Sequence, residues 1–322
     1  MSRIRFLERK EIDVDRWDRC VLHSPHTDIY ARSQWLDIMA KQWSGLVQDD
    51  YQAVLPIPWN RKFFLSYIYT PRFTSPLPLC GSAGATLPLA DFLAQIPARF
   101  IRWDLDISLP DHETTAASPN SLPGPAATIA LPANPTETIA LTDTPIRWPH
   151  RFRNNHLLSL DKPYPELFSA FRPGYRNLVR QASRAGLQVV QASDHRETIL
   201  RAADHKKIPG MKKEDYRRFL ALCDRLAVEG MVESWECRQP GGQPCAGMVL
   251  LRDHRKLYYL LSWSDDYGRS HAAAHLLMAR IIEAHADSRL VLDFEGSDHA
   301  GIRHFMEGFG PRPISYIAIR KR

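Results

Sequence analysis

Eight prolines crowd one stretch of the chain: Pro110, Pro119, Pro123, Pro125, Pro132, Pro135, Pro145 and Pro149. Proline lacks the backbone N–H and fixes φ, so such a segment builds neither helix interior nor central strand. With its Ser, Thr and Ala content, it reads as a linker or surface insertion. The chain must therefore fold as two apolar-rich parts, 1–109 and 150–322, separated by 110–149. A length of 322 residues suits two domains, and 44% hydrophobic with 24% charged residues suits a packed core rather than global disorder or a collagen-like chain.

Other classes are excluded in the same way. No apolar run approaches the ~20 residues of a membrane span, and the opening MSRIRFLERK has no apolar h-region, which predicts a cytoplasmic protein. The five cysteines are odd in number and contain no C-x-x-C, so free buried thiols are expected rather than disulfides or a zinc site. A net charge of +6 suits an anionic partner, or serves solubility alone.

The second part is the more legible. Residues 173–185 read as a helix stopped by Gly186, and 187–191 as a short strand. Asp194 with Glu197 gives a capping box, and 212–229 carries a helical apolar stripe ended by Gly230. Strands are expected at 232–238, 246–252 and 257–263, a helix at 270–286, a strand at 290–294, a helix at 299–309 and a strand at 314–320. The order is β-α-α-β-β-β-α-β-α-β. The first part repeats it more faintly: a strand at 4–7, helices at 13–22 and 33–43, a hairpin from 51–56 and 63–69, a helix at 89–98 and a strand at 100–107. Arg61-Lys62-Phe63-Phe64 matches Arg255-Lys256-Leu257-Tyr258, and Asp104-Leu105-Asp106-Ile107-Ser108 matches Asp293-Phe294-Glu295-Gly296-Ser297, in the same order and at similar offsets. A tandem repeat explains this; chance matching of common strand residues is the alternative.

This element order resembles the GNAT acyltransferase fold. Two such units in one chain resemble the FemABX-like transferases and the acetyltransferases associated with biotin genes. Arg176-x3-Arg180-x-Ala182-x3-Gly186-Leu187 is similar to the family's helix-to-strand step. Asp293-Phe294-Glu295-Gly296-Ser297, followed by Gly301, Phe305, Phe309 and Gly310, is similar to its closing signature. In the first part, Ile29-Tyr30, Trp35-Leu36 and the run Ala53 to Pro58 resemble the family's first domain. The resemblance implies a mixed α/β protein of two GNAT-like units, the first degenerate and the second carrying the site. It further implies an N-acyltransferase in which an amine acceptor, small molecule or peptide, directly attacks an acyl-CoA or an aminoacyl-tRNA, with no permanently bound cofactor. A non-catalytic protein that keeps the fold and binds an anionic ligand is the alternative. No long heptad arm of the kind some tRNA-dependent relatives carry is present.

The resemblance and the residue chemistry select candidate positions. In GNAT proteins a helix N-terminus receives the coenzyme A pyrophosphate through its unpaired amides. The usual Arg/Gln-x-x-Gly-x-Gly/Ala becomes Arg269-Ser270-His271-Ala272-Ala273-Ala274, with Ala272 replacing the first glycine. Arg269 and Ser270 are thus donor-binding candidates, and an ordinary helix start is the alternative. Arg176 and Arg180 lie on one helix face and suit phosphate or carboxylate; a solvated basic face is the alternative. Trp263 and Ser264 end a central strand, where they would line a substrate channel or simply pack. Asp293 and Glu295 share a strand face; Asp293 is expected to bond the turn that follows, and Glu295 to act as the base that takes the proton of the attacking amine. His271 and His275, spaced i, i+4, lack the Glu of a zinc motif and a third ligand, and are expected on the helix surface. The expected pocket gathers Trp263, Ser264, Arg269 and Glu295.

Overall fold

The computed structural model describes residues 3–25, 28–82, 87–108, 146–205, 210–296 and 300–322. The expectation of an irregular exposed stretch at 111–145 lies outside the described residues, as does Ser297. Two compact units divide the chain: residues 1–153 with 315–322, and residues 154–314.

The first unit contains β1 (Ile4–Glu8), α1 (Val14–His23), α2 (Ser33–Met39), β2 (Gln42–Gln48), β3 (Ala53–Lys62), β4 (Leu65–Tyr69), β5 (Leu77–Pro78), β6 (Cys80–Gly81), α3 (Leu89–Ala94) and β7 (Phe100–Ser108). Asp13 caps α1 by accepting from the Arg16 amide, the usual way a short acidic side chain satisfies a first-turn donor. The helix read over 33–43 ends at Met39, and Gln42–Gln48 is instead a strand paired with both β1 and β3. The reason lies at Gly45, where a Cβ would stand 2.3 Å from the Trp17 ring. Burying that indole requires a glycine within a strand, which hides the strand from a propensity reading.

The second unit begins within β8 (His150–Ser159) and continues through α4 (Tyr164–Ala170), α5 (Pro173–Arg184), β9 (Gln188–Gln191), α6 (His195–His205), α7 (Lys213–Val228), β10 (Val232–Arg238), β11 (Pro244–Arg252) and β12 (Lys256–Ser264). It then runs through α8 (Asp266–Ser270), α9 (Ala273–Ala284), β13 (Val291–Asp293) and α10 (Ala300–Glu307). Neither β8 nor α4 was anticipated; Pro163 and Pro165 bracket the start of α4, and prolines read as loop unless their place in the first turn is known. The last strand, β14 (Arg312–Lys321), pairs with β7 over Tyr316–Lys321, so it closes the first unit rather than the second.

Within each unit the strand order is the same. The first reads β1-β2-β3-β4-β7-β14 and the second β9-β10-β11-β12-β13-β8. Each has one parallel neighbour pair along that path, β4 with β7 and β12 with β13, and antiparallel pairing elsewhere. The first sequence match falls on the β3–β4 and β11–β12 hairpins; the second lies wholly within β7 but only at Asp293 within β13, continuing past the strand. The second unit's core packs α5 and α9 on one sheet face. Leu276, Leu277, Met278, Ile281 and Ile282 meet Met248, Leu250, Leu257, Leu292 and Phe294. All five cysteines are free.

At the C-terminal end of α9, His285 donates from Nδ1 to the Ile281 carbonyl (2.8 Å) and from Nε2 to Glu233 (3.2 Å), so both ring nitrogens serve as donors. Burial opposes the charged ring. The Glu233 hydrogen bond, the Ile281 carbonyl and the Glu233 charge outweigh it and raise the His285 pKa above its ordinary value. Burial likewise opposes the Glu233 carboxylate, but its bonds to His285 and Trp235 and the nearby charges hold its pKa below the ordinary range. A raised histidine stabilises the fold below its unfolded pKa and loses that contribution as pH rises through the folded value. The lowered carboxylate contributes above its unfolded pKa and loses that contribution as pH falls. Urea titrations should therefore show wild-type stability exceeding that of His285→Gln most between about pH 5 and 6, with the gap closing by pH 9. A gap that widens above pH 7 would contradict this pairing.

Candidate functional site

The site region of the second unit follows from how β12 and β13 part. Their parallel pairing covers Lys256–Val291, Leu257–Leu292 and Tyr258–Asp293 and stops there, although β12 runs on to Ser264. A register shift between Val249 and Leu250 leaves Leu260 as the extra residue of β12. β-Bulges of this kind turn a strand away from its neighbour. Beyond Tyr258 the edge of β12 that would face β13 has no ladder partner among the described residues, which leaves backbone donors and acceptors on an opening wedge.

At the mouth of the wedge, β12 passes through α8 into α9. Asp265 caps α8, accepting from the Gly268 amide at 2.7 Å. Ala272 then adopts φ +53°, in the left-handed region, and begins α9 with no side-chain cap. The motif's glycine would occupy this position, and the chain has kept the glycine-type backbone with alanine in it. The first amides of α9, at Ala273 and Ala274, have no intrahelical acceptor by geometry and carry the positive end of the helix dipole.

The sequence candidates distribute as follows. Trp263 is buried, with its indole over Gly247 on the neighbouring strand, where a Cβ would approach Nε1 to 2.5 Å. His205 stacks on it at 5.3 Å, and the Arg201 guanidinium lies 5.4 Å from the ring, so α6 covers it. Its Nε1 is buried without a hydrogen-bond partner. Ser264 and Arg269 are brought together directly: Arg269 donates to the Ser264 carbonyl and pairs with Asp266. The Ser270 hydroxyl donates to the Tyr267 carbonyl at 2.9 Å. Arg176 and Arg180 lean on α4, the first donating to the Ser169 carbonyl and the second lying 5.6 Å from the Phe168 ring. Glu295 follows β13 with φ +66°, and its amide donates to Asp293 at 3.0 Å. Asp293 thus bonds the amide two residues on, just past its strand, and Glu295, beyond the end of β13 and left-handed, does not continue the strand face expected to hold both carboxylates. By strand alternation, Asp293 and Trp263 belong to the sheet face opposite Leu257, Leu292 and Phe294.

Sequence reading missed two residues here. His275, expected on the helix surface, is instead partly buried against Tyr175 (4.7 Å) and Phe305 (5.2 Å). Burial, and to a lesser degree His304, pushes its pKa down to about 4, so it is neutral, and its Nδ1 has no partner. An aromatic cluster from three helices is invisible to i, i+4 spacing. His205 was not singled out either. Among the described residues no group of three His, Cys, Asp or Glu side chains could hold a metal ion, and no helix is long and apolar enough to cross a membrane.

A left-handed alanine costs about 1–2 kcal/mol that glycine does not bear. Ala272→Gly should therefore raise the unfolding free energy by roughly 1 kcal/mol in urea titrations, after allowing for glycine's greater freedom when unfolded. Destabilisation by that substitution would show that the turn is not left-handed.

Comparisons with known proteins agree with this geometry. Residues 169–300 match the family model of the acetyltransferase (GNAT) domain. FemX has a similar structure at 14% identity, with a TM-score of 0.63 over 96% of both chains. A conserved protein of unknown function from Bacteroides thetaiotaomicron superposes with a TM-score of 0.54 at 11% identity, over 98% of this chain and 99% of that one. No curated protein matches the chain in sequence. The chain is thus a mixed α/β protein whose residues 169–300 match the acetyltransferase (GNAT) domain, in a fold shared over nearly its full length with FemX.

Proposed function

We propose that the protein is an N-acyltransferase whose second unit binds an acyl-CoA and transfers the acyl group to an amine. The observation that carries the reading is the left-handed turn at Ala272, which starts α9 beside the wedge between β12 and β13. The pyrophosphate would rest on the amides of Ala273 and Ala274, with Arg269 and Ser270 at the same turn, and the pantetheine would follow the open edge of β12. In the reaction the neutral amine attacks the thioester carbonyl carbon and a C–N bond forms. The C–S bond breaks and coenzyme A leaves as a thiolate that takes up a proton. Glu295 accepts the proton that the amine loses, directly or through a water. A backbone N–H on the unpaired edge of β12 polarises the carbonyl, and positioning supplies most of the acceleration. No covalent enzyme intermediate is needed. Ser264 would line the acceptor side, with Trp263 packed behind it under α6, and Arg176 and Arg180 would contact an anionic group of the substrate. An aminoacyl-tRNA is the alternative donor.

Calorimetric titration with acetyl-CoA tests the donor. Ala274→Asp places a carboxylate in the first turn of α9, where the dipole favours it, yet directly where the pyrophosphate would rest. The variant should fold as the wild type and lose CoA affinity by at least about tenfold, the weight of one unfavourable charge contact of ~1.4 kcal/mol. Glu295→Gln should lower kcat by about 100-fold or more with donor Kd nearly unchanged. A wild-type protein that binds no acetyl-CoA, or an Ala274→Asp variant that binds it normally, would reject the acyl-CoA reading.

A further inference from the structure

The tip of the β3–β4 hairpin in the first unit is built against the usual rules for a turn. Two-residue hairpin connections favour Asn, Asp and Gly, because their backbone often enters the left-handed region. Here the tip is Phe63-Phe64. Phe63 has φ +55°, and the two rings are 83% and 88% exposed. Leu65 follows at 56% exposure. The pairing of Ser66 with Phe100 brings Ile101, 46% exposed, to the same end of the sheet. The equivalent hairpin of the second unit follows the rule. Its turn is Asp253-His254-Arg255, and the Asp253 carboxylate accepts the amides of Arg255 (2.7 Å) and Lys256 (2.8 Å). The fold therefore does not require an apolar tip.

The surroundings are cationic. Arg61 and Lys62 precede the two rings and make no ion pair among the described residues. The sequence contains no acidic residue between Asp50 and Asp91. Behind the tip, a cavity of about 720 Å³ is lined by Lys10, Lys41, Arg61 and Arg99 together with Trp43 and Trp59. The two acids at its wall are already neutralised, Glu8 by Arg99 and Asp37 by a bidentate pair with Arg9 (2.7 and 2.8 Å). Lys10, Lys41 and Arg61 remain as cations without a carboxylate partner among the described residues.

Exposed aromatic rings flanked by unpaired cations are the chemistry of an interfacial anchor. The rings enter the boundary of headgroups and acyl chains, and the cations meet anionic headgroups. We propose that this corner of the first unit docks the protein on an anionic phospholipid surface, with Phe63, Phe64 and Leu65 inserted and a lipid phosphate at the Arg61–Lys10–Lys41 cavity. A soluble polyanion would need the cations but not the rings, and a second protein surface would not need three unpaired cations beside them. The inference is independent of the acyl-transfer chemistry.

The test is co-sedimentation of the full chain with vesicles of phosphatidylcholine alone and of a phosphatidylcholine–phosphatidylglycerol mixture. The wild type should sediment with the mixed vesicles, hardly at all with the neutral ones, and less as salt is added. Arg61→Gln with Lys62→Gln should lower the partition coefficient about 30-fold, from ~1 kcal/mol for each lost cation near the surface. Phe63→Ser with Phe64→Ser should lower it by about tenfold for each ring. Because these side chains are exposed, thermal unfolding should be unchanged in both variants. Phe64→Trp should show blue-shifted emission on vesicle binding and quenching by brominated acyl chains. Failure to bind the mixed vesicles, or binding that neither double variant weakens, overturns the proposal. A wild-type dimer that Phe63→Ser with Phe64→Ser converts to a monomer, with no vesicle binding, overturns it in favour of self-association. Binding of free phosphate ions without vesicle binding overturns it in favour of a soluble anion.

Discussion

A single buried carboxylate holds the site region of the second unit in place. Asp293 is 2% exposed. It accepts from Asn155 Nδ2 at 2.7 Å on β8, from Lys256 Nζ at 3.3 Å on β12 and from the Glu295 amide at 3.0 Å in the turn beyond its own strand. Three elements are tied to one side chain, at the last residue pair where β12 and β13 run together. A buried charge is tolerated only when its lone pairs are met in this way, and removing one partner costs several kcal/mol. The wedge can open beyond Asp293 because everything up to Asp293 is fixed. The left-handed backbone of Glu295 depends on the same arrangement. Gly296, also left-handed, sits so close to β8 that a Cβ would come 2.6 Å from the Asn154 carbonyl oxygen. The candidate base is thus presented by a strained turn clamped from both sides, a pattern found where geometry serves function.

The opposite wall of the wedge is fixed differently. Where Asp293 works through polar bonds, α9 is held by apolar packing. Ala273, Leu276, Leu277, Met278, Ile281 and Ile282 are almost wholly buried, which locks the axis of α9 and hence the direction of its N-terminal amides. At the far end of α9 the His285–Glu233 pair meets the last carbonyls with a cation. The two ends are therefore treated asymmetrically: the C-terminus is satisfied internally, while the N-terminus begins with small alanines and no side-chain cap. That asymmetry leaves the first amides of α9 without a capping side chain.

Much of the element order was legible from sequence because it rests on strong local signals: the apolar stripe of α7, glycines at helix ends, and alternation in β10 to β12. Elements were lost where tertiary packing overrides local preference. β2 contains Gly45 because Trp17 fills the space of its side chain, and no local pattern announces that contact. β8 opens with charged and polar residues that carry no strand signal, and only its apolar end, Leu157–Ser159, pairs with β13. For the candidate site, the pattern Arg269 to Ala274 marked a helix start, while Ala272 in place of the motif's glycine argued against it. The backbone at Ala272 is left-handed all the same, since that geometry is a property of the turn and not of the residue type that usually occupies it. The placement of His275 among Tyr175, Phe305 and Phe309 required three helices to be brought together, and the covering of Trp263 by His205 and Arg201 required α6 to cross over β11 and β12.

The first unit shows why one of two similar units would keep the chemistry. Its strand order and its parallel pair match those of the second unit, yet the helix between β4 and β7 is only Leu89–Ala94, six residues, against twelve for α9. A helix of less than two turns sums few peptide dipoles, and Pro88 precedes it without a side-chain cap. The first unit thus has the same kind of parallel pair, but β4 ends where its pairing with β7 ends, and the helix beside it is short. Its cations lie instead at the other end of its parallel strand pair, around the β3–β4 hairpin, where the second unit has a self-capped polar turn. The same strand scaffold directs its positive charge to a helix N-terminus in one unit and to a hairpin tip in the other. The readings proposed for the two units therefore rest on the features that differ between them rather than on the fold they share.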